Sequence, residues 1–136
     1  MTPRTATARA RVPVVPVSAL TIVLPWSLVL HDNHRLIPAR GRLVASPEYR
    51  RTKRHAELFL KGLWGARDRL VGDMALHARC WFPDRRKRDA GNYRKLITDA
   101  LSGLVYADDS QLVRETWERA GFDKERPRVE ITLEVA

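Results

Sequence analysis

Cysteine is almost absent from this chain. Cys80 is the only one, so no intramolecular disulfide can form, nothing calls for an oxidising compartment, and the cytoplasm is the expected location. Within its alternating apolar stretch Cys80 reads as a small buried hydrophobe. Long hydrophobic runs are missing too. The longest, Val17 to Leu30, has 14 residues and contains Pro25, whereas a membrane-crossing helix needs about 20; no membrane partner is expected. Acid is missing from the first 31 residues, which carry Arg4, Arg9 and Arg11. Pro3, Pro13 and Pro16 argue against an amphipathic targeting helix there, so residues 1–17 are expected to form a flexible basic tail able to add electrostatic grip on a polyanion. No glycine-rich phosphate loop and no nucleophilic serine or cysteine motif occurs.

What the chain has in excess is positive charge. Twenty-five Lys and Arg against sixteen Asp and Glu give a net charge of +9, with a sequence pI near 10.6. Such a surface attracts nucleic acid or anionic membrane, the alternative being a basic surface with no specific partner. At 136 residues, 44% hydrophobic and 30% charged, the chain suits one soluble domain, expected over residues 18–136.

Ala19 to Leu24 reads as a short strand ended by Pro25, and Ser27 to Arg42 as a loop. Arg42 to Ala45 is a candidate strand. Ser46-Pro47-Glu48-Tyr49 predicts a helix start, with Ser46 as cap and proline at the first helical position. That helix is expected to reach about Trp64, burying Ala56, Phe59, Leu60 and Leu63. Arg50, Arg51, Lys53 and Arg54 crowd its first half, where they oppose the helix dipole and call for an anion. Gly72 to Phe82 alternates as a half-buried strand. A second helix is expected from about Ala90 to Leu104, with Ile97, Ala100, Leu101 and Leu104 inward and Asn92, Lys95 and Asp99 on a polar face. Leu112 to Trp117 and Val129 to Val135 are further strands around a charged turn, Gly121 to Pro127. This order predicts an α+β fold: one small domain with a mixed sheet packed against two α-helices.

The densest chemical signal spans residues 84–109. Arg85-Arg86-Lys87-Arg88 is flanked by Asp84 and Asp89, and then come Asn92, Lys95, Asp99, Asp108 and Asp109. Carboxylates beside concentrated cations are what a metal-dependent phosphodiesterase needs: the cations grip phosphates and the oxygen ligands hold Mg²⁺. Each element also has a plainer reading. Asp89 suits a helix N-cap, Asp108-Asp109 a turn, Lys95 and Asp99 a surface ion pair, and the cationic run a solvated loop. His31-Asp32-Asn33-His34 has a His-x-x-His spacing but no cysteines and no second ligand pair, so a polar loop or a nucleic-acid contact is expected there rather than zinc. The four tryptophans read as core, with Trp26 the candidate for a wedge into unstacked bases.

The order and spacing of this block resemble the RusA family of Holliday-junction resolvases. The residues that carry the resemblance are Pro83-Asp84-Arg85-Arg86-Lys87-Arg88-Asp89-Ala90-Gly91-Asn92-Tyr93-Arg94-Lys95, then Asp99-Ala100-Leu101, then Asp108-Asp109-Ser110-Gln111. Leu24-Pro25-Trp26 resembles the family's opening, with Ser27-Leu28-Val29 in place of its Pro-Pro-Ser, and Gly41-Arg42 and Ser46 to Tyr49 resemble its lead into the first helix. The resemblance implies a homodimer that binds branched DNA, four-way junctions above all, and nicks it in symmetric pairs during recombination and repair, in a phage or prophage setting. It implies Mg²⁺, with Mn²⁺ as an alternative ion. Carried over by position, Asp89, Asp109 and Lys95 are catalytic, and Asp89 and Asp109 are metal ligands with Asp108 as a helper. Arg40, Arg42, Arg50, Arg51, Lys53, Arg54, Arg85, Arg86, Lys87, Arg88, Asn33 and Asn92 are expected to contact DNA. One position departs. Gly91 stands where the family has a metal-ligand aspartate, which leaves two readings open: cleavage with two carboxylates, or junction binding with weakened cleavage.

Overall fold

Apolar and polar residues alternate along four stretches of the chain, and these become the strands of one mixed sheet. The computed structural model describes residues 19–136; the expected tail, residues 1–17, lies outside the described residues. Its elements are β1 (Ala19–Pro25), β2 (Leu36–Ala39), β3 (Arg42–Ala45), α1 (Pro47–Trp64), β4 (Met74–Phe82), α2 (Arg94–Leu101), β5 (Leu112–Phe122) and β6 (Arg128–Val135). The expected α+β domain with two helices is thus present. The sheet order is β1-β6-β4-β5, and β2 and β3 form a separate hairpin. β6 runs antiparallel to both β1 and β4, whereas β4 and β5 are parallel. Parallel neighbours require a crossover connection. Here it is residues 83–111, so the whole chemically suggestive block lies on one excursion between two hydrogen-bonded strands.

Period-two alternation sends Ile22, Leu24, Leu76, Ala78, Cys80, Val129, Ile131 and Leu133 to one face, where all are buried. Leu24 lies opposite Val129, and Ala78 opposite Ile131, so the inward residues align across strands. Against this face pack Tyr49, Ala56, Leu60 and Trp64 of α1, and Leu96, Ile97, Ala100 and Leu101 of α2. Burial pushes the Cys80 thiol up to about 12, so it is inert packing, as its alternation predicts. On the opposite face polar rungs replace apolar ones: Arg79 pairs with Glu118 at 3.6 Å and with Glu130 at 3.7 Å, and Arg128 pairs with Glu130 at 3.1 Å.

Four sequence expectations change. The loop over Ser27 to Arg42 contains β2 and the hairpin turn, where Arg40 and Gly41 both take positive φ (50° and 79°). That is the backbone a two-residue hairpin needs, although arginine is unusual in it. Phe59 and Leu63 are 36% and 51% exposed, and Tyr49 and Trp64 take their places in the buried stripe. α2 is shorter than expected: residues Ala90–Tyr93 form a 3₁₀ turn, and the α-helix stops at Leu101 because Ser102 is extended (ψ 133°). Lastly, β5 continues to Phe122 as an edge strand, which moves the turn to residues 123–127. There Asp123 Oδ1 accepts from the amides of Glu125 and Arg126, each at 3.1 Å.

Candidate active site and nucleic-acid interface

The start of α2 gathers charge from four elements. Lys95 and Asp99, one turn apart, pair at 3.0 Å. Tyr49, in the first turn of α1, donates its hydroxyl to Asp99 Oδ2, which the Ser46 cap makes possible by fixing where α1 begins: Ser46 Oγ accepts from the Tyr49 amide at 3.0 Å. Asp32, in the 3₁₀ turn Asp32–His34, accepts from the Lys95 amide at 3.2 Å across 63 residues of sequence. Burial raises its carboxyl above the usual range, against that amide and the positive charge of Arg35. Arg94 makes a two-pronged contact with Glu115 of β5 at 2.5 and 2.7 Å, which holds the Glu115 carboxyl below its ordinary range.

Asp109 completes the group. Its Oδ1 is closed to solvent and has no hydrogen-bond partner. The hydroxyl of nearby Tyr106 donates to the Thr98 carbonyl at 3.1 Å and also lies within hydrogen-bond reach of the Asp109 carboxyl, leaving Oδ1 itself unpaired. Burial raises the Asp109 carboxyl, the negative charge of Asp99 adds to the effect, and Lys95, the Tyr106 hydroxyl and Arg94 oppose it. An acceptor oxygen shut from water without a donor is what a bound cation would satisfy.

Asp89 and Asp108 stand apart from this group in character. Asp89 is exposed and caps the 3₁₀ turn, its Oδ1 accepting from the Gly91 amide at 3.0 Å; the plain N-cap reading of the sequence is therefore correct as far as it goes. It also borders a polar recess of about 290 Å³ with His31, Arg86, Lys87, Asn92 and Tyr93. Asp108 faces out, with its carboxylate occupied by Ser110 Oγ at 2.7 Å. Among the described residues, no three His, Cys, Asp or Glu side chains converge as a ready metal cage. At Gly91, a Cβ would meet only Asp89 Oδ1, at 3.5 Å.

The cations lie in three places: α1, the β2–β3 hairpin and the crossover. Arg51, Arg54 and His55 are exposed on α1 and share a shallow concavity of about 690 Å³ with Arg50 and Lys53. Arg50 also donates to the Ala45 carbonyl at 2.7 Å, and Lys53 lies 3.9 Å from Glu57. Arg40 and Arg42 are exposed at the hairpin turn, as is Asn33 nearby in sequence. On the crossover, Arg85 sits over the Phe122 ring at 4.2 Å, and Arg86, Lys87 and Asn92 are exposed. Arg88 differs. Asp84 grips it at 2.6 and 3.2 Å, its side chain is only 11% exposed, and its guanidinium lies over the Phe82 and Trp26 rings. It fixes the shape of the basic loop rather than extending from it. Trp26 packs against Phe82 and Tyr93, with ring centroids 5.3 and 5.0 Å away.

The family model for endodeoxyribonuclease RusA matches residues 25–134, the span from the end of β1 almost to the end of β6. The chain belongs to the RusA family. No curated protein was found to match it. Membership makes it a nuclease that acts on DNA. Asp32, Tyr49, Arg94 and Glu115 escaped the sequence reading. Asp32 and Tyr49 come from distant elements, and the Arg94–Glu115 contact needs the parallel β4–β5 pairing before it exists. No helix among the described residues is long and apolar enough to cross a membrane.

Proposed function

We propose that this RusA-family chain resolves four-way DNA junctions as a homodimer, by Mg²⁺-dependent paired nicks, with Mn²⁺ able to substitute. The observation that carries the reading is the orphaned Oδ1 of Asp109 in the company of Lys95. Asp89 and Asp109 are the residues that would hold a magnesium ion, by their positions in the family pattern, with water and phosphate oxygens completing its sphere, which Mg²⁺ readily accepts. Bound there, the ion would polarise the phosphate and activate water. The protein's own groups do the rest. Asp99, steadied by Tyr49, holds the Lys95 ammonium, whose charge offsets that developing on the scissile phosphate. Arg51 and Arg54 on α1, and Arg86 and Lys87 on the crossover, grip the backbone. Two-fold symmetry in the protein matches two like-oriented strands at a junction.

The test is a labelled, mobile four-way junction incubated with the protein in Mg²⁺ and in chelator. Symmetric paired nicks in Mg²⁺ alone are expected; random duplex cutting, or cutting in chelator, would refute the reading. A second reading, a junction binder with weakened cleavage, is favoured by Gly91 and by the lack of a three-acid cage among the described residues. Tight junction binding with no nicks in either Mg²⁺ or Mn²⁺ would establish it.

Phosphate grip has its own signature. Each phosphate contact releases counterions, so log affinity falls linearly with log salt. Arg51→Ala and Arg54→Ala are each expected to reduce that slope by about 1. A slope unchanged in the double variant would remove α1 from the interface.

A further inference from the structure

We propose that His31 is a phosphate-contact residue of the cleavage site, donating its Nε2–H to a DNA phosphate oxygen seated between Lys87 and Asn92, next to Asp89. The inference rests on the nuclease reading above and assigns a residue that this reading leaves idle.

The argument starts from the imidazole's other nitrogen. Nδ1 of His31 accepts from the backbone amide of Asn33 at 3.0 Å, closing the 3₁₀ turn Asp32–His34. An accepting Nδ1 carries no proton, so the neutral ring has its proton on Nε2. The ring also packs edge-on to Tyr93, with centroids 5.1 Å apart and planes at 82°. No hydrogen bond or ion pair to another side chain engages Nε2 among the described residues. The ring borders the recess of about 290 Å³ that Arg86, Lys87, Asp89 and Asn92 also line. That space is ample for one phosphodiester group. Its rim offers two exposed cations, Arg86 and Lys87, and an exposed amide, Asn92. Arg88, by contrast, is spent on Asp84.

A donor of fixed direction has a distinct use here. The carboxylate of Asp89 repels a phosphate, and the exposed cations Arg86 and Lys87 compensate without fixing its orientation. A ring locked between a backbone amide and Tyr93 presents one N–H in one direction, which positions the phosphate relative to Asp89.

Two substitutions separate this role from a structural one. Asparagine reproduces the Nδ1 acceptor and keeps the turn but lacks the distal donor. Glutamine reaches the Nε2 position with its amide but does not reproduce the turn contact. Junction affinity is measured in Ca²⁺ and cleavage in Mg²⁺, with thermal unfolding of each variant alongside. The expected result is that His31→Asn binds junction 5- to 10-fold more weakly with an unchanged Tm, while His31→Gln stays within twofold of the wild type. Wild-type affinity in His31→Asn overturns the proposal, and so does equal loss in both variants, which would mark the ring as packing. Failure of the nuclease reading looks different: the wild type would then leave the junction uncut in both Mg²⁺ and Mn²⁺. The same two variants, measured on duplex, would still show whether His31 holds a phosphate.

Discussion

Asp109→Asn is expected to cut junction cleavage by on the order of 10²-fold or more, while junction affinity stays within about twofold of the wild type. Asparagine matches aspartate in shape but cannot supply negative charge to a cation, and the residues that grip DNA lie elsewhere. The variant is also expected to fold at least as stably. Burial and the charge of Asp99 raise the Asp109 carboxyl in the folded state, so the folded protein holds that proton more tightly than the unfolded chain does. Ionisation at neutral pH therefore costs stability, a cost absent below the unfolded-state pKa and fully present above the raised folded one. The neutral variant escapes it. Urea midpoints for variant and wild type should thus differ in favour of the variant at pH 7 and converge as the pH falls below the ordinary carboxylate range. Lost cleavage with a normal or raised midpoint separates a chemical role from misfolding. Wild-type cleavage rates in the variant would remove Asp109 from the site.

Gly91→Asp is expected to strengthen divalent-cation binding about tenfold or more and to raise cleavage at limiting Mg²⁺. The backbone there is not in the left-handed region, and the only neighbour a Cβ would meet is Asp89 Oδ1 at 3.5 Å, an ordinary contact. The new carboxylate would lie beside the existing one. Without metal two like charges repel, and with metal both become ligands, so the thermal midpoint should depend on Mg²⁺ more steeply than in the wild type. Mn²⁺ titration read by paramagnetic relaxation gives the affinity directly, without DNA. An unchanged metal response in Gly91→Asp would place the ion away from residues 89–91.

Local signals in the sequence proved dependable where one short segment decides the structure. Ser46 and Pro47 fixed the start of α1, Pro25 the end of β1, and the spacing of Lys95 and Asp99 gave an ion pair that needs only a helical turn to form. The failures share a cause. Phe59 and Leu63 fit a buried stripe by period alone, but the position of the sheet rotates the buried face toward Tyr49 and Trp64. The 3₁₀ turn before α2 and its early stop depend on Tyr93 and Ser102 backbone angles that the packing imposes. The hairpin turn went unseen because Arg40 takes positive φ without the asparagine or glycine that normally advertises it. At the site, the motif residues were legible and their support was not. Asp32 meets the Lys95 amide across 63 residues, and Tyr49 meets Asp99 across 50; neither contact has a local signature. Nor could spacing reveal that Arg88 turns inward to Asp84 while its neighbours stay exposed.

Asp89 stands at the entrance and Asp109 at the exit of a single crossover between paired parallel strands. The β4–β5 ladder fixes the two ends of that crossover, and the 83–88 loop and the 3₁₀ turn Asp109–Gln111 carry the acids from those ends. The segment before Asp109 is anchored as well: Val105 and Tyr106 are fully buried, and the Val105 carbonyl accepts from the Leu70 amide at 2.7 Å. Gly91 sits on that crossover with room for a side chain, a Cβ meeting only Asp89 Oδ1 at 3.5 Å, so a carboxylate can be added there without disturbing the fold.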